Sequence, residues 1–280
     1  DKTRFARALR PFSLVVALAT CGLGVSLALL DGYREPWLGL GVLLAGVLLQ
    51  AGVNLINDAS DRASPEFDQA QRQRIGRNAG LGWLAIGAAA LFGLYTVLLR
   101  GWPMLALCLI GMFGAWGYTG GPVDYKQRGL GVPLVFLLMG VLLVGGAYYV
   151  VSGAYTPEVF WLSLPFSLFA SLLLLSNELR DFEIDREAGR LTLTVRLGYR
   201  TGALLFRLII ALLAVATVAL GVTGLLGYSW IPLLSLLALL PPLGLLETHP
   251  ERRMQLARAT GRGFFAYGAA MLAALWLAAS

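Results

Sequence analysis

Charge is what this sequence has least of: Asp, Glu, Lys and Arg make up 14% of its 280 residues, against about 25% in a soluble globular domain. Histidine occurs once, at His249, and cysteine twice, at Cys21 and Cys108. Two cysteines within apolar runs imply no disulfide framework and are expected to be buried, inert thiols. A solitary histidine in the loop "LETHPERR" argues against a zinc or copper centre, which draws on clustered His and Cys. The opening stretch "DKTRFARALRPFS" shows no cleavable signal pattern.

Apolar residues fill the space that charge leaves. They account for 58% of the chain, and the mean hydropathy is +0.72. Nine runs reach the roughly 20 residues that a bilayer core requires: 11–30, 36–57, 78–99, 102–120, 129–151, 158–179, 201–223, 228–246 and 263–279. They predict an all-α polytopic membrane protein of nine transmembrane helices, with residues 1–280 forming one unit.

The net charge of +6 does not point to nucleic acid, because the basic residues are sorted by loop. Alternate connections collect 19 of the 22 Lys and Arg residues, leaving Arg34, Arg100 and Arg207 elsewhere. Basic loops stay on the cytoplasmic side, so the N-terminus is expected inside and the C-terminus outside. The basic side can also attract anionic lipid or substrate. Its loops are the longer ones, so function is expected at that face.

The acidic residues are sorted too. Nine of 16 lie in "NLINDASDRASPEFD", 54–68, and "NELRDFEIDREAGRLTLTVRLG", 177–198. Asn54, Asp58 and Asp61 close the second run; Asn177, Asp181 and Asp185 close the sixth. Both the Asn pair and the first Asp pair are 123 residues apart, an offset of four runs, which suggests parallel repeats of four helices plus one extra helix. If the helix continues, Asn177, Asp181 and Asp185 share one face, about 6 Å apart in rise per step. Carboxylates at helix C-termini oppose the macrodipole. Arg62, Arg180, Arg186 and Arg190 compensate in part, and a divalent cation would supply the rest. Mg2+ suits these donors, because it takes oxygen ligands shared between carboxylates and a substrate phosphate. Solvated interface charge is the plainer reading of a single such motif; two in matching register favour a site.

At these residues the chain resembles the UbiA-type superfamily of intramembrane prenyltransferases, whose motifs take the forms N-x-x-x-D-x-x-D and D-x-x-x-D. Within it, the stretch 177–198, together with "YTGGP" at 118–122, "RGLG" at 128–131 and "YYV" at 148–150, is most similar to the 1,4-dihydroxy-2-naphthoate polyprenyltransferase branch of menaquinone synthesis. The resemblance implies one helical bundle around a central cavity open to the cytoplasm, in a bacterial plasma-membrane enzyme. It implies that Asp58, Asp61, Asp181 and Asp185, completed by Asn54 and Asn177, hold Mg2+ against the diphosphate of an allylic polyprenyl donor. Lys126, Arg128, Arg180, Tyr118 and Arg10 are the implied diphosphate contacts. Tyr118, Tyr148, Tyr149, Phe166 and Phe169 are candidates to face an allylic cation, or else to pack the bundle. The implied partners are a polyprenyl diphosphate, an aromatic acceptor and the bilayer, with no nucleic acid.

Three departures bear on the acceptor and the first motif. "DRASPEFD" lacks the Gly-x-Asp with which the branch usually closes its first motif, making Asp68 a weaker ligand candidate. Val132 stands where an acidic residue typically follows "GLG", and Val123 where Arg often follows "YTGGP". Homogentisate, 4-hydroxybenzoate or a glycerol-phosphate lipid therefore stay open as acceptors. Outside the enzyme class, a cation-coupled transporter stays open as well, although its ionisable groups would be expected nearer mid-membrane. Arg207 is expected to snorkel to the interface.

Overall fold

A computed structural model of the chain describes residues 4–57, 59, 67–119, 123–247 and 249–280, apart from the side chains of residues 12, 115, 116, 118 and 119. Among the described residues all regular structure is helical. The principal helices are α1 Pro11–Leu30, α2 Pro36–Asn57, α3 Gln69–Arg100 and α4 Trp102–Thr119. They are followed by α5 Gly131–Ser152, α6 Pro157–Arg180, α7 Tyr199–Val222, α8 Trp230–Leu245 and α9 Leu256–Ala279.

Seven of these are long and apolar enough to cross a membrane; Trp102–Gly114 and α8 are shorter apolar helices among the described residues. The chain is thus an integral membrane protein, with seven such helices where nine crossings were expected. The shortfall in α8 has a local cause. It runs as α-helix to Ser235, tightens to a 3-10 stretch at Leu236–Leu239, and resumes at Leu240–Leu245. Pro241 and Pro242 offer no N–H to the preceding turn, and their rings crowd its carbonyls. The expected run 78–99 instead begins nine residues earlier, at Gln69. There Asp68 caps the helix: its Oδ1 accepts the Gln71 N–H at 2.7 Å, and the Gln71 Oε1 accepts the Asp68 N–H at 3.0 Å. Asp68 therefore serves as a helix cap, where a carboxylate is favoured by the dipole.

Small residues set how closely the helices approach, as expected where lipid gives no hydrophobic drive to associate. A Cβ on Gly52 of α2 would lie 2.7 Å from the Gly82 carbonyl oxygen of α3. A Cβ on Gly140 of α5 would lie 2.4 Å from the Cα of Ser167 in α6, where α5 widens into a π-helical turn at Phe136–Leu142. α6 is the most enclosed crossing and packs against α5, α7 and α9. Phe166 and Phe169 are fully buried against Phe264 and Tyr267 of α9 in edge-on and tilted ring contacts. Leu98, Leu84 and Leu91, each more than 70% exposed, face outward as lipid-contacting residues do.

Hydrogen bonds sort the helix ends into two sets. At one end the Tyr148 hydroxyl donates to Asp31 at 2.6 Å, Arg100 donates to the Val150 and Val151 carbonyls at 2.9 Å, and the Tyr149 hydroxyl to the Arg100 carbonyl at 3.3 Å. Exposed Trp37, Trp102, Trp161 and Trp230 stand near this end, in the manner of an interfacial belt. At the other end lie Asn54 and the second acidic motif.

Candidate functional site

The second motif keeps its stack across a break in the helix. α6 ends at Arg180; Asp181 takes φ −93° and ψ 9°, and a short helix Phe182–Glu187 follows. The Asp181 N–H still donates to the Asn177 carbonyl at 3.0 Å, and the Asp185 N–H to the Asp181 carbonyl at 2.8 Å. The three positions expected on one face therefore remain one helical step apart, although the axis is not continuous. Gly189, at φ +67°, then reverses the chain so that the Arg190 N–H reaches the Asp185 carbonyl at 2.8 Å.

Each member has a distinct environment. Asn177 is half-buried and donates its amide to the Leu173 carbonyl at 3.1 Å, leaving Oδ1 unbonded among the described residues. Asp181 is gripped by both arms of Arg180, at 2.8 and 2.6 Å. Asp185 is buried and pairs with Arg190 at 3.1 Å. Arg180 thus neutralises a carboxylate of the motif.

The loop carrying Lys126 and Arg128 is latched to the segment that follows the motif. The Leu191 N–H donates to the Gln127 Oε1 at 2.8 Å, and Arg196 donates to the Gln127 carbonyl at 2.7 Å. Gly129, at φ +72°, lets the loop pass Arg196, whose Cδ would stand 2.8 Å from any Cβ there. Lys126 and Asp185 are both within electrostatic reach of Glu178. Glu178 is buried, and its Oε2 accepts the Thr194 N–H at 3.1 Å. Gln127, Leu191 and Arg196 thus tie the loop that carries Lys126 to the segment following the second motif.

The first motif is tied to the chain start. Asn54 is buried; its amide donates to the Leu9 carbonyl at 2.8 Å and to the Ser13 Oγ at 2.6 Å, while its Oδ1 accepts from Gln50 at 3.1 Å. Arg10 lies between those two partners in a left-handed conformation, φ 48°, immediately before Pro11 opens α1. The contact places Arg10 beside the first motif, and makes Asn54 the anchor of the N-terminal segment. Asp58 and Asp61 lie outside the described residues, as does the side chain of Tyr118, whose backbone belongs to α4.

The candidate aromatics separate from the motifs. Tyr148 and Tyr149 bond at the opposite helix ends, and Phe166 and Phe169 are packed within the core. These are the contacts of packing residues, one of the two readings open to them from sequence. Val132 is likewise buried, with its carbonyl accepting from Ser171 at 3.1 Å. Sequence reasoning passed over Glu178, Gln127 and Arg253. Arg253 is 5% exposed, donates to Glu183 at 2.5 Å and lies 4.3 Å over the Tyr199 ring. Adjacency to the second motif was a signal for Glu178. Nothing in its own loop marked Arg253.

Donor chemistry at the second motif fits a hard cation: Asn177, Asp181 and Asp185 offer only oxygen. Among the described residues no three His, Cys, Asp or Glu side chains converge as a metal cage. A site of this kind needs ligands from elsewhere, and the other acidic motif is the expected source.

A profile of the UbiA prenyltransferase family matches residues 15–277. The chain belongs to that family. It is a prenyltransferase, and the transporter considered from sequence is set aside. Relatives named 1,4-dihydroxy-2-naphthoate octaprenyltransferase are 32% identical in Mycobacterium tuberculosis, over 74% of this chain and 74% of that one, and 26% identical in Bacillus subtilis, over 77% and 72%. A UbiA homolog from Archaeoglobus fulgidus, solved with GPP and Mg2+, superposes with a TM-score of 0.65 at 17% identity, over 96% of this chain and 99% of that one. Its likeness is one of fold.

Proposed function

We propose that this enzyme transfers an isoprenyl chain from an allylic polyprenyl diphosphate to 1,4-dihydroxy-2-naphthoate, with loss of the carboxylate as carbon dioxide, giving the demethylmenaquinone skeleton in its reduced form. The observation that carries this reading is the stacked Asn177, Asp181 and Asp185 with Lys126 latched close by. The names of the relatives support the acceptor. The ligands in the Archaeoglobus structure support a prenyl diphosphate and Mg2+ as partners.

Asp181, Asp185 and Asn177 would hold Mg2+ in this reading, together with Asp58 and Asp61 of the first motif. The bound ions supply charge stabilisation for the leaving diphosphate. Lys126, Arg128 and Arg10 add fixed positive charge around the same group, where charge builds as the allylic C–O bond breaks. Arg180 must share or surrender Asp181 for that carboxylate to face a cation. Apolar surroundings keep water from the allylic carbon, and the electron-rich acceptor ring then forms the new C–C bond.

The proposal includes one unit over residues 1–280, nine membrane crossings, and a central cavity open to the cytoplasm. It places the protein in a bacterial plasma membrane with the N-terminus inside and the C-terminus outside. The test is Mg2+-dependent turnover of purified protein with geranyl or farnesyl diphosphate and a panel of acceptors led by 1,4-dihydroxy-2-naphthoate, read by mass spectrometry. A prenylated, decarboxylated naphthoquinol is expected. Prenylation of homogentisate, 4-hydroxybenzoate or a glycerol-phosphate lipid in its place would overturn the acceptor and leave the chemistry.

A further inference from the structure

A second basic cluster lies behind the second motif. Arg200 and Arg207 from the start of α7, and Arg253 from just before α9, line a cavity of about 370 Å3 together with Tyr199 and Glu247. None of the residues assigned above to Mg2+ or diphosphate lines it. Glu183 and Phe182 face this side, through Arg253 and the Tyr199 ring.

Three observations give the cavity its chemistry. Arg253 is 5% exposed, its Nε has no hydrogen-bond partner among the described residues, and its two terminal nitrogens donate to Glu183 and to the Leu179 carbonyl. Arg207 pairs at 2.6 Å with Glu247, a side chain 80% exposed and easily released, while exposed Arg200 makes no ion pair among the described residues. Among the described residues the three guanidinium groups thus pair with two carboxylates. The N-terminus of α7 adds to the same field, because no side chain caps it and its first-turn residues Tyr199 and Arg200 line the cavity. Uncapped amides and a positive helix end favour phosphate. Arginine suits phosphate oxygens better than a point charge does. Below Arg200, at steps of four, Leu204, Leu208 and Leu212 form an exposed apolar stripe along α7.

We propose that this cavity binds a phosphate group through Arg200, Arg207 and Arg253 at the N-terminus of α7. The apolar stripe favours an anionic lipid as its source, with the headgroup in the cavity and a chain along Leu204, Leu208 and Leu212. A free phosphate presents the same chemistry. The site is independent of the proposed reaction.

The experiment uses the full chain in detergent, without turnover, so its result stands apart from that of the prenylation assay. Native mass spectrometry measures retention of phosphatidylglycerol against phosphatidylcholine, and thermal unfolding measures stabilisation by inorganic phosphate. The wild type is expected to prefer phosphatidylglycerol, and the R200Q/R207Q double variant to lose about tenfold of that preference. Stabilisation by inorganic phosphate that disappears in the double variant, without lipid preference, would support the site and assign it to a soluble anion. If neither ligand is favoured, or if the preference survives both substitutions, the proposal is overturned. R200Q alone alters only an exposed side chain and serves the same comparison should the double variant unfold.

Discussion

Asn54 and Asn177 occupy matching places in two helices that end in acidic motifs, yet their amides do different work. Asn54 is buried and fully engaged, holding the chain start through Leu9 and Ser13. Among the described residues Asn177 bonds only its own helix and leaves an oxygen without a partner. A repeat visible in sequence is therefore not a repeat of function, residue by residue. One asparagine secures the chain start; the other keeps an oxygen without a partner among the described residues.

The largest effect is expected at the carboxylates. Asp181→Ala should cost about a hundredfold or more in turnover, the scale of losing a fixed electrostatic contact to a leaving group, while the protein remains folded in detergent. Asp58→Ala should match it. Near-normal Mg2+-dependent rates in either variant would remove that residue from the site. The asparagines come next and should split by readout. Asn54→Ala is expected to lower stability by about 1–3 kcal/mol, since it leaves buried partners unbonded, measured by thermal unfolding. Asn177→Ala should leave unfolding nearly unchanged and raise the Mg2+ concentration needed for half-maximal rate. The reverse pattern would break the comparison.

A smaller effect is expected from the latch. Gln127→Ala removes the acceptor for the Leu191 N–H, and should raise KM for the prenyl diphosphate several-fold with kcat less affected. An unchanged KM would mean that Lys126 is positioned without it. The smallest effect belongs to the far end of the bundle. Tyr148→Phe removes the bond to Asp31 and should cost about 1 kcal/mol of stability with turnover unchanged. A large loss of turnover there would return Tyr148 to the candidates for the reacting carbon.

What was legible in the sequence followed from periodicity and charge sorting. Long apolar runs become helices wherever their backbone can bond internally, so α1, α2, α6 and α7 fall close to their expected bounds. Composition alone does not reveal how prolines 241 and 242 interrupt α8, nor that the capping bonds of Asp68 extend α3 well beyond its apolar part. The spacing of Asn177, Asp181 and Asp185 was readable because i to i−4 bonding survives the break at Asp181. Partnerships across distant segments were not readable. Arg253 with Glu183, Gln127 with Arg196, and Tyr148 with Asp31 span 70, 69 and 117 residues, and only the packed bundle selects them. The surroundings of Tyr148, Tyr149, Phe166 and Phe169 were unreadable for the same reason, since burial and helix end, not residue type, decide what a ring faces.

The most direct test of the central claim is single-turnover release of diphosphate by purified wild type and Asp181→Asn, with farnesyl diphosphate and 1,4-dihydroxy-2-naphthoate, across a Mg2+ titration. The account predicts prenylated, decarboxylated product from the wild type that rises with Mg2+, and almost none from the isosteric variant at any Mg2+ concentration. Equal product from the two proteins would contradict the assignment of the second motif as the diphosphate site.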